Sequence, residues 1–135
     1  MLRNLVDKIK SFFLLAPQVQ TTDLTTAAAD LQGMLNFAWM VSVGAAAFTG
    51  TDKMALKITH SDDDVTYVDA TSADMYENVS ANIVKELTAA GDASKVHPIE
   101  YRGNKRYVKL TLDIQGALTN VPVSVMGLST KKEIM

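Results

Sequence analysis

The sequence predicts a mainly β protein: a β-sandwich or jelly-roll-like body with an N-terminal amphipathic arm and one short helical insertion. From Val108 to Ile114, apolar and polar residues alternate, so this strand has one apolar side and one polar side. Further apolar runs of strand length follow one another at short spacing, which is typical of a sandwich. Inside the body, residues 80–91 alone have a helical pattern. An up-and-down barrel is the alternative architecture.

Residues 1–22 form the predicted arm. Apolar residues recur in it at spacings of three and four, the period of one face of a helix. They are Leu2, Leu5, Ile9, Phe12 and Phe13. This spacing predicts a short amphipathic helix that ends before Pro17. Its apolar stripe either packs on the body of its own chain or docks on another subunit, where these five residues would bind the partner.

The predicted body covers residues 23–128 and begins with a strand near residue 34. Phe37, Trp39 and Val41 alternate there with residues that are also largely apolar, which predicts a central strand buried on both faces. Trp39 is assigned to the core because aromatic side chains dominate core packing. Residues 55–60 and 65–68 flank a polar turn and predict a hairpin.

The turn of this hairpin is acidic and is the one candidate metal site. Asp62, Asp63, Asp64 and Asp69 could supply oxygen ligands for calcium. Their spacing lacks the glycine and the distal glutamate of a calcium loop, and aspartate also favours turns by bonding its own backbone. The sequence therefore predicts a solvated turn, and metal binding by Asp62, Asp63 and Asp64 stays open.

Residues 70–96 interrupt the β pattern and form the predicted insertion. Its helix covers residues 80–91, with Ser80 as the N-cap and Gly91 as the C-terminal stop. After the insertion come the strand at 108–114 and a last strand at 121–126. Residues 129–135 form a charged tail with no strand pattern.

Composition excludes several functions. The 135-residue chain has a net charge of -2, which argues against a dedicated nucleic-acid binder. It has no cysteine, so disulfides, thiolate catalysis and cysteine-ligated zinc are excluded. The apolar run at 12–16 is too short for a signal peptide or a membrane span, which predicts a soluble, non-exported protein.

A search for catalytic motifs finds no glycine-rich phosphate loop, no nucleophile elbow and no histidine pair at metal spacing. His60 and His97 are therefore interpreted as structural. We expect no enzyme activity and no cofactor, and we assign no catalytic or metal-binding residue.

A basic cluster surrounds the turn Gly103-Asn104. Arg102, Lys105 and Arg106 either face solvent or bind acidic side chains of a protein neighbour, since arginine presents a planar fork to carboxylates.

Short motifs in a fixed order resemble small virion proteins encoded in the head-gene region of tailed bacteriophages. They are Arg-Asn-Leu at 3–5, Leu-Ala-Pro at 15–17, Leu-Gln-Gly at 31–33, His-Ser-Asp-Asp-Asp at 60–64 with Thr66 and Tyr67, and Tyr-Arg-Gly-Asn-Lys-Arg-Tyr-Val at 101–108. The best-known proteins of similar size and make-up are capsid decoration, or cement, proteins with jelly-roll-like folds. These bind outside the shell across capsomer junctions, as dimers or trimers.

The resemblance implies a non-enzymatic virion structural protein that binds across neighbouring capsid subunits and stabilises the head. Its implied partners are the major capsid protein and further copies of itself, as a dimer or trimer, with no nucleic acid and no membrane. It would lie on the capsid surface after synthesis in the bacterial host cytoplasm. The alternatives are a head–tail joining or tail subunit, and a carbohydrate-binding β-sandwich that stacks sugars on Trp39, Tyr67 and Tyr101.

Overall fold

Strands dominate the computed structural model, which describes residues 5–80, 82–118 and 120–131. One four-residue helix and two single 3₁₀ turns, Ser72–Asp74 and Ala90–Asp92, accompany them. In chain order, the helix and strands are α1 Leu5–Lys8, β1 Ile9–Gln20, β2 Leu24–Thr25, β3 Ala29–Asp30, β4 Phe37–Val43, β5 Lys53–Ser61, β6 Val68–Asp69, β7 Ile83–Leu87, β8 Lys95–Tyr101, β9 Tyr107–Gln115 and β10 Val121–Thr130. Among the described residues, no helix combines the length and the apolar composition that crossing a membrane requires.

The strands form two antiparallel sheets, so the predicted class, a mainly β sandwich, is confirmed. The first sheet has the order β1-β10-β4-β8. In the second sheet, β9 and β5 are central, β2 and β3 pair with the outer edge of β9, and β6 and β7 pair with β5. The pairing of the predicted hairpin is present, with Thr59 opposite Asp69, but its second strand is Val68–Asp69 and not residues 65–68.

The core lies between the inward faces of the two sheets. The alternation in β9 is confirmed, since Val108, Leu110 and Leu112 are buried while the residues between them are half-buried. Four aromatic rings run through the core in edge-to-face contacts, with centroids 4.8 to 6.2 Å apart. These rings belong to Phe12, Phe37, Trp39 and Tyr101. Trp39 is fully buried, as predicted.

The predicted helix in the arm is wrong beyond α1. Residues Ile9–Gln20 form β1, which pairs with β10 along its length and is therefore a strand of the body. Register shifts lie between Phe13 and Leu15 and between Leu15 and Gln18. Before the first shift, Ile9 and Phe13 lie on the outward face of β1 and Phe12 lies on the inward face, so their three- and four-residue spacings do not mark one face of a helix.

The predicted helix over residues 80–91 is also wrong. Most of this segment is β7, an outer strand paired with β5, followed by a 3₁₀ turn. A register shift between Leu56 and Lys57 places Val84 and Leu87 inside, three residues apart, which imitates one face of a helix.

Two smaller expectations also need correction. β4 is central, but it is buried on one face, because Ala38, Met40 and Ser42 are half-buried. The predicted tail begins inside β10, since Ser129 and Thr130 pair with β1. Residues 132–135 of the tail lie outside the described residues.

Candidate assembly surface

The outward side chains of the first sheet form apolar rows that cross its strands, because residues paired across antiparallel strands share one face. One row crosses all four strands and consists of Phe13, Met126, Met40 and Pro98. The side chain of Phe13 is 74% exposed and that of Met126 is 44% exposed. We call the outward surface of the first sheet, centred on this row, the apolar face.

Neighbouring rows continue this surface on both sides. Ser11, Leu128, Ala38 and Glu100 form one of them, and Ser124, Ser42 and Val96 form another. Farther along, Val19 pairs with Pro122 beside a shallow depression of about 430 Å³. Among the outward positions paired in the described strands, Glu100 is the one charged residue, and it lies on the edge strand β8.

The sequence of β10 explains why this face is well defined. Val121, Val123 and Val125 point inward and are buried, so Ser124 and Met126 must point outward. At the next inward position, a Cβ on Gly127 would lie 2.5 Å from ring carbons of Phe37. Glycine there lets the Phe37 ring pack directly against the strand.

The outward side of the second sheet has the opposite character. Lys57 Nζ lies 2.9 Å from an Asp113 carboxylate oxygen, and Lys53 Nζ lies 3.1 Å from Glu86. The hydrogen bond from Lys57 holds the pKa of Asp113 below its usual value. Charged side chains that pair with one another in this way are typical of a surface that stays in water.

The basic cluster is engaged within its own chain. The Arg106 guanidinium donates to both carboxylate oxygens of Asp30, at 2.8 and 2.9 Å, and lowers the pKa of that carboxyl group. Lys105 Nζ lies 2.7 Å from Asp62. Arg102 donates to the carbonyl oxygens of Ser72 and Ala73. Arg102, Lys105 and Arg106 line a groove of about 640 Å³, and the binding of these three residues to a neighbour stays a prediction.

The structure separates the residues of the predicted arm site. Phe12 packs inward on Phe37, with ring centroids 5.3 Å apart, whereas Phe13 and the half-buried Ile9 belong to the apolar face. Leu2 and the side chain of Leu5 lie outside the described residues. Their binding to a partner stays a prediction, and deleting the arm would remove β1 from the first sheet.

The acidic turn uses its carboxylates to hold its own backbone. Asp63 accepts hydrogen bonds from the backbone N–H groups of Thr66 and Val65 and from the Ser61 hydroxyl, which lowers its pKa to about 2. Asp64 accepts a hydrogen bond from the Tyr67 hydroxyl. Within residues 5–80, 82–118 and 120–131, no three potential metal ligands cluster.

Both histidines are buried and hydrogen-bonded. His60 Nδ1 and the Tyr101 hydroxyl share a hydrogen bond of 2.8 Å, and burial lowers the pKa of His60 although Asp74 lies 3.9 Å away. His97 Nε2 donates to the carbonyl oxygen of Asp92 at 2.7 Å. Each ring thus has a hydrogen-bond partner within the chain, and the interpretation of both histidines as structural stays a prediction.

Our sequence interpretation did not single out Met40, Met126 and Leu128. A usable signal was present, because three long stretches contain no charged residue: 11–22, 31–51 and 114–130. These stretches contain most of β1 and all of β4 and β10, which are neighbours in the first sheet. A strand without charge on either side indicates that both of its faces meet apolar surroundings.

Comparisons with known proteins do not place the chain in a family. No family model matches it, and no curated protein matches it. Among solved structures, it is similar to a Clostridium thermocellum endo-1,4-β-D-xylanase 10B containing CBM22-1 and GH10 modules in complex with xylohexaose. The similarity has a TM-score of 0.44 at 11% identity and covers 93% of this chain and 26% of the xylanase chain. A likeness this distant carries no argument about function.

Proposed function

We propose that this chain is a non-enzymatic virion structural protein, a capsid decoration protein that binds across neighbouring capsid subunits and stabilises the head. The apolar face is the observation that carries the proposal. By strand geometry the face covers about 500 Å². The largest apolar patch on a typical monomer covers about 300–600 Å², and such patches are often sites that bind other molecules. A decoration protein functions through such contacts and needs no catalytic group.

The short motifs of the sequence suggest that the assembly this chain joins is a phage capsid. Their resemblance to head-region proteins of tailed phages implies the major capsid protein as the partner. A protein that binds the assembled shell and not its separated subunits raises the stability of the shell by mass action. The proposed location is the capsid surface, after synthesis in the host cytoplasm.

The carbohydrate-binding alternative has less support in the aromatic residues that suggested it. Trp39 is fully buried and Tyr101 is 2% exposed, so neither ring can stack on a sugar. The Tyr67 ring is covered by Lys109 Nζ, 4.2 Å from the ring centroid. Sugar stacking requires an open aromatic face, which Trp39 and Tyr101 do not offer and which Lys109 occupies on one side of the Tyr67 ring.

The test is a titration of the purified chain onto phage heads assembled without it, with copies counted per head. We expect saturation at hundreds of copies and a higher temperature of head disruption. Met126→Lys should weaken the binding, and Thr111→Lys, an outward substitution on β9, serves as the matched control.

Two outcomes would contradict the decoration role. Saturation at about a dozen copies would move the assignment to a head–tail joining subunit, because the resemblance implies hundreds of copies for decoration proteins. Failure of the folded wild-type protein to bind heads at any concentration would overturn the proposal itself.

A further inference from the structure

We infer that the apolar face binds the same face of a second copy of this chain, with a twofold axis that runs between the row of Met40 and Met126 and the row of Ser42 and Ser124. This inference deepens the proposed function, because it names what covers the same surface while the chain is free of the head. A second copy and a capsid subunit cannot cover that surface at once, so the dimer must be reversible. It rests on that proposal in one respect: the apolar face is a protein-binding surface.

The distribution of charge favours a second copy as the partner. A charge buried at an interface without a partner is strongly destabilising, so whatever covers this face must itself present few charges. A second copy of this face satisfies that requirement, because Glu100 is the one charged residue among the paired outward positions of the described strands. Glu100 lies on the edge strand β8 and would remain at the solvated rim.

The relief of the face is also self-complementary. The row of Phe13, Met126, Met40 and Pro98 is a ridge of large side chains, and the adjacent Ser124 and Ser42 form a trough. A twofold axis would place the ridge of each copy against the trough of the other. Two sheets can then pack face to face at the usual separation of about 10 Å.

The area is sufficient for a reversible dimer. Four strands about 4.8 Å apart and eight residue steps of about 3.4 Å give a patch of about 19 by 27 Å, or about 500 Å² per copy. Two copies would bury about 1,000 Å², which is the lower limit for a specific interface. We therefore expect a dimer that dissociates on dilution.

Pairing through strand edges is a less favourable way to self-associate. On the outer edge of the first sheet, β1 has two register shifts around Pro17, which interrupt its ladder of hydrogen-bonding groups. The opposite edge, β8, contains Pro98, which has no backbone N–H. Irregular and proline-containing edges discourage strand addition, so the face is the better surface for a second copy.

The first test is sedimentation velocity of the full chain over a wide range of concentrations. We expect the wild type to form a dimer, Met126→Lys to raise the dissociation constant at least tenfold, and Thr111→Lys to behave as the wild type. Circular dichroism verifies that each variant is folded. If a variant is unfolded, Ser124→Lys on the apolar face and Val65→Lys, at an exposed position of the turn between β5 and β6, provide a second matched pair.

Crosslinking locates the interface independently, because the chain has no cysteine. Ser124→Cys should give a covalent dimer with a short bis-maleimide, and Thr111→Cys, on the second sheet, should not. A wild type that stays monomeric at all concentrations, a trimer, or efficient crosslinking through Thr111→Cys would overturn the inference. These assays use no heads, so a dimer that fails to bind heads contradicts only the proposed function.

Discussion

The two sheets of this sandwich pack on one core, but the residues on their outward faces differ in character. On β5 and β9, the outward positions include Lys57 and Asp113, which form an ion pair. On the neighbouring central strands of the first sheet, β4 and β10, the outward pair is Met40 and Met126. The inward residues of both sheets are mostly apolar, so the requirements of folding do not explain this difference.

The difference indicates whether each face contacts solvent or another protein when the chain performs its function. An exposed apolar side chain adds little to the stability of the monomer, because it is not removed from water. Covering it stabilises an assembly by about 1.5–3 kcal/mol for a fully buried methionine or leucine. The charged face favours solvation, whereas the apolar face gains free energy when protein covers it.

The largest expected effect is a difference in the free energy of unfolding between alanine substitutions at two adjacent residues of β4. Trp39→Ala removes a fully buried side chain and should lower the free energy of unfolding by about 3–5 kcal/mol. Met40→Ala should cost less than about 1 kcal/mol, because Met40 points outward and is half-buried. Urea denaturation at concentrations that favour the monomer measures both values. Equal losses would show that the outward face is as important for folding as the core.

A smaller effect is expected at Gly127, the inward residue between Met126 and Leu128. Its substitution by alanine places a Cβ 2.5 Å from Phe37 ring carbons and should destabilise the protein by about 1–3 kcal/mol. Gly50→Ala is the control, since no atom lies within 4 Å of its added Cβ. Thermal unfolding should give Gly127→Ala a clearly lower melting temperature than both the control and the wild type. Equal melting temperatures would contradict the packing described for β10.

The ion pair of the charged face should contribute modestly to stability. A double-mutant cycle of Lys57→Met and Asp113→Leu should give a coupling energy of about 0.2–1 kcal/mol, because both side chains are partly exposed. The coupling should decrease in high salt, which screens exposed charges. A coupling that salt leaves unchanged would contradict the description of this face as solvated.

The smallest expected effect is the acid sensitivity of the same pair. Lys57 lowers the pKa of Asp113 from its ordinary value of 3.8, so the folded protein binds a proton there less readily than the unfolded chain. Stability from this group is therefore present above pH 3.8 and is lost as the pH falls through the folded pKa. Asp113→Asn should flatten the pH dependence of unfolding in this range, and an unchanged slope would contradict the assignment.

Much of the fold could be predicted from the sequence where strands are regular. Strict alternation in β9 and the polar turn before β6 identified those elements correctly. In the arm, apolar residues on both faces of β1, such as Ile9 and Phe12, happen to stand three and four positions apart and so predict a helix. In residues 80–91, the register shift in the pairing of β5 with β7 produces the same spacing. Single-sequence periodicity does not distinguish a bulged strand from a short helix.

The apolar face was harder to predict because it depends on the order of the strands. β1, β4 and β10 are far apart in the sequence, and their outward residues form a common surface only when these strands are neighbours. The absence of charge in all three was visible in the sequence. Without the topology, that absence was interpreted as burial of β4 on both sides.

Oxidation of Met126 by dilute peroxide tests most directly whether protein covers the apolar face, because its thioether reacts according to its exposure. Mass spectrometry would follow its rate in dilute protein, in concentrated protein and on decorated heads, with the Ser42→Lys variant as a monomeric control. We predict a rate several-fold lower in concentrated protein and on heads than in dilute protein, and no such decrease on concentrating the variant. An equal rate for the wild type under all three conditions would contradict the assignment of this face to assembly.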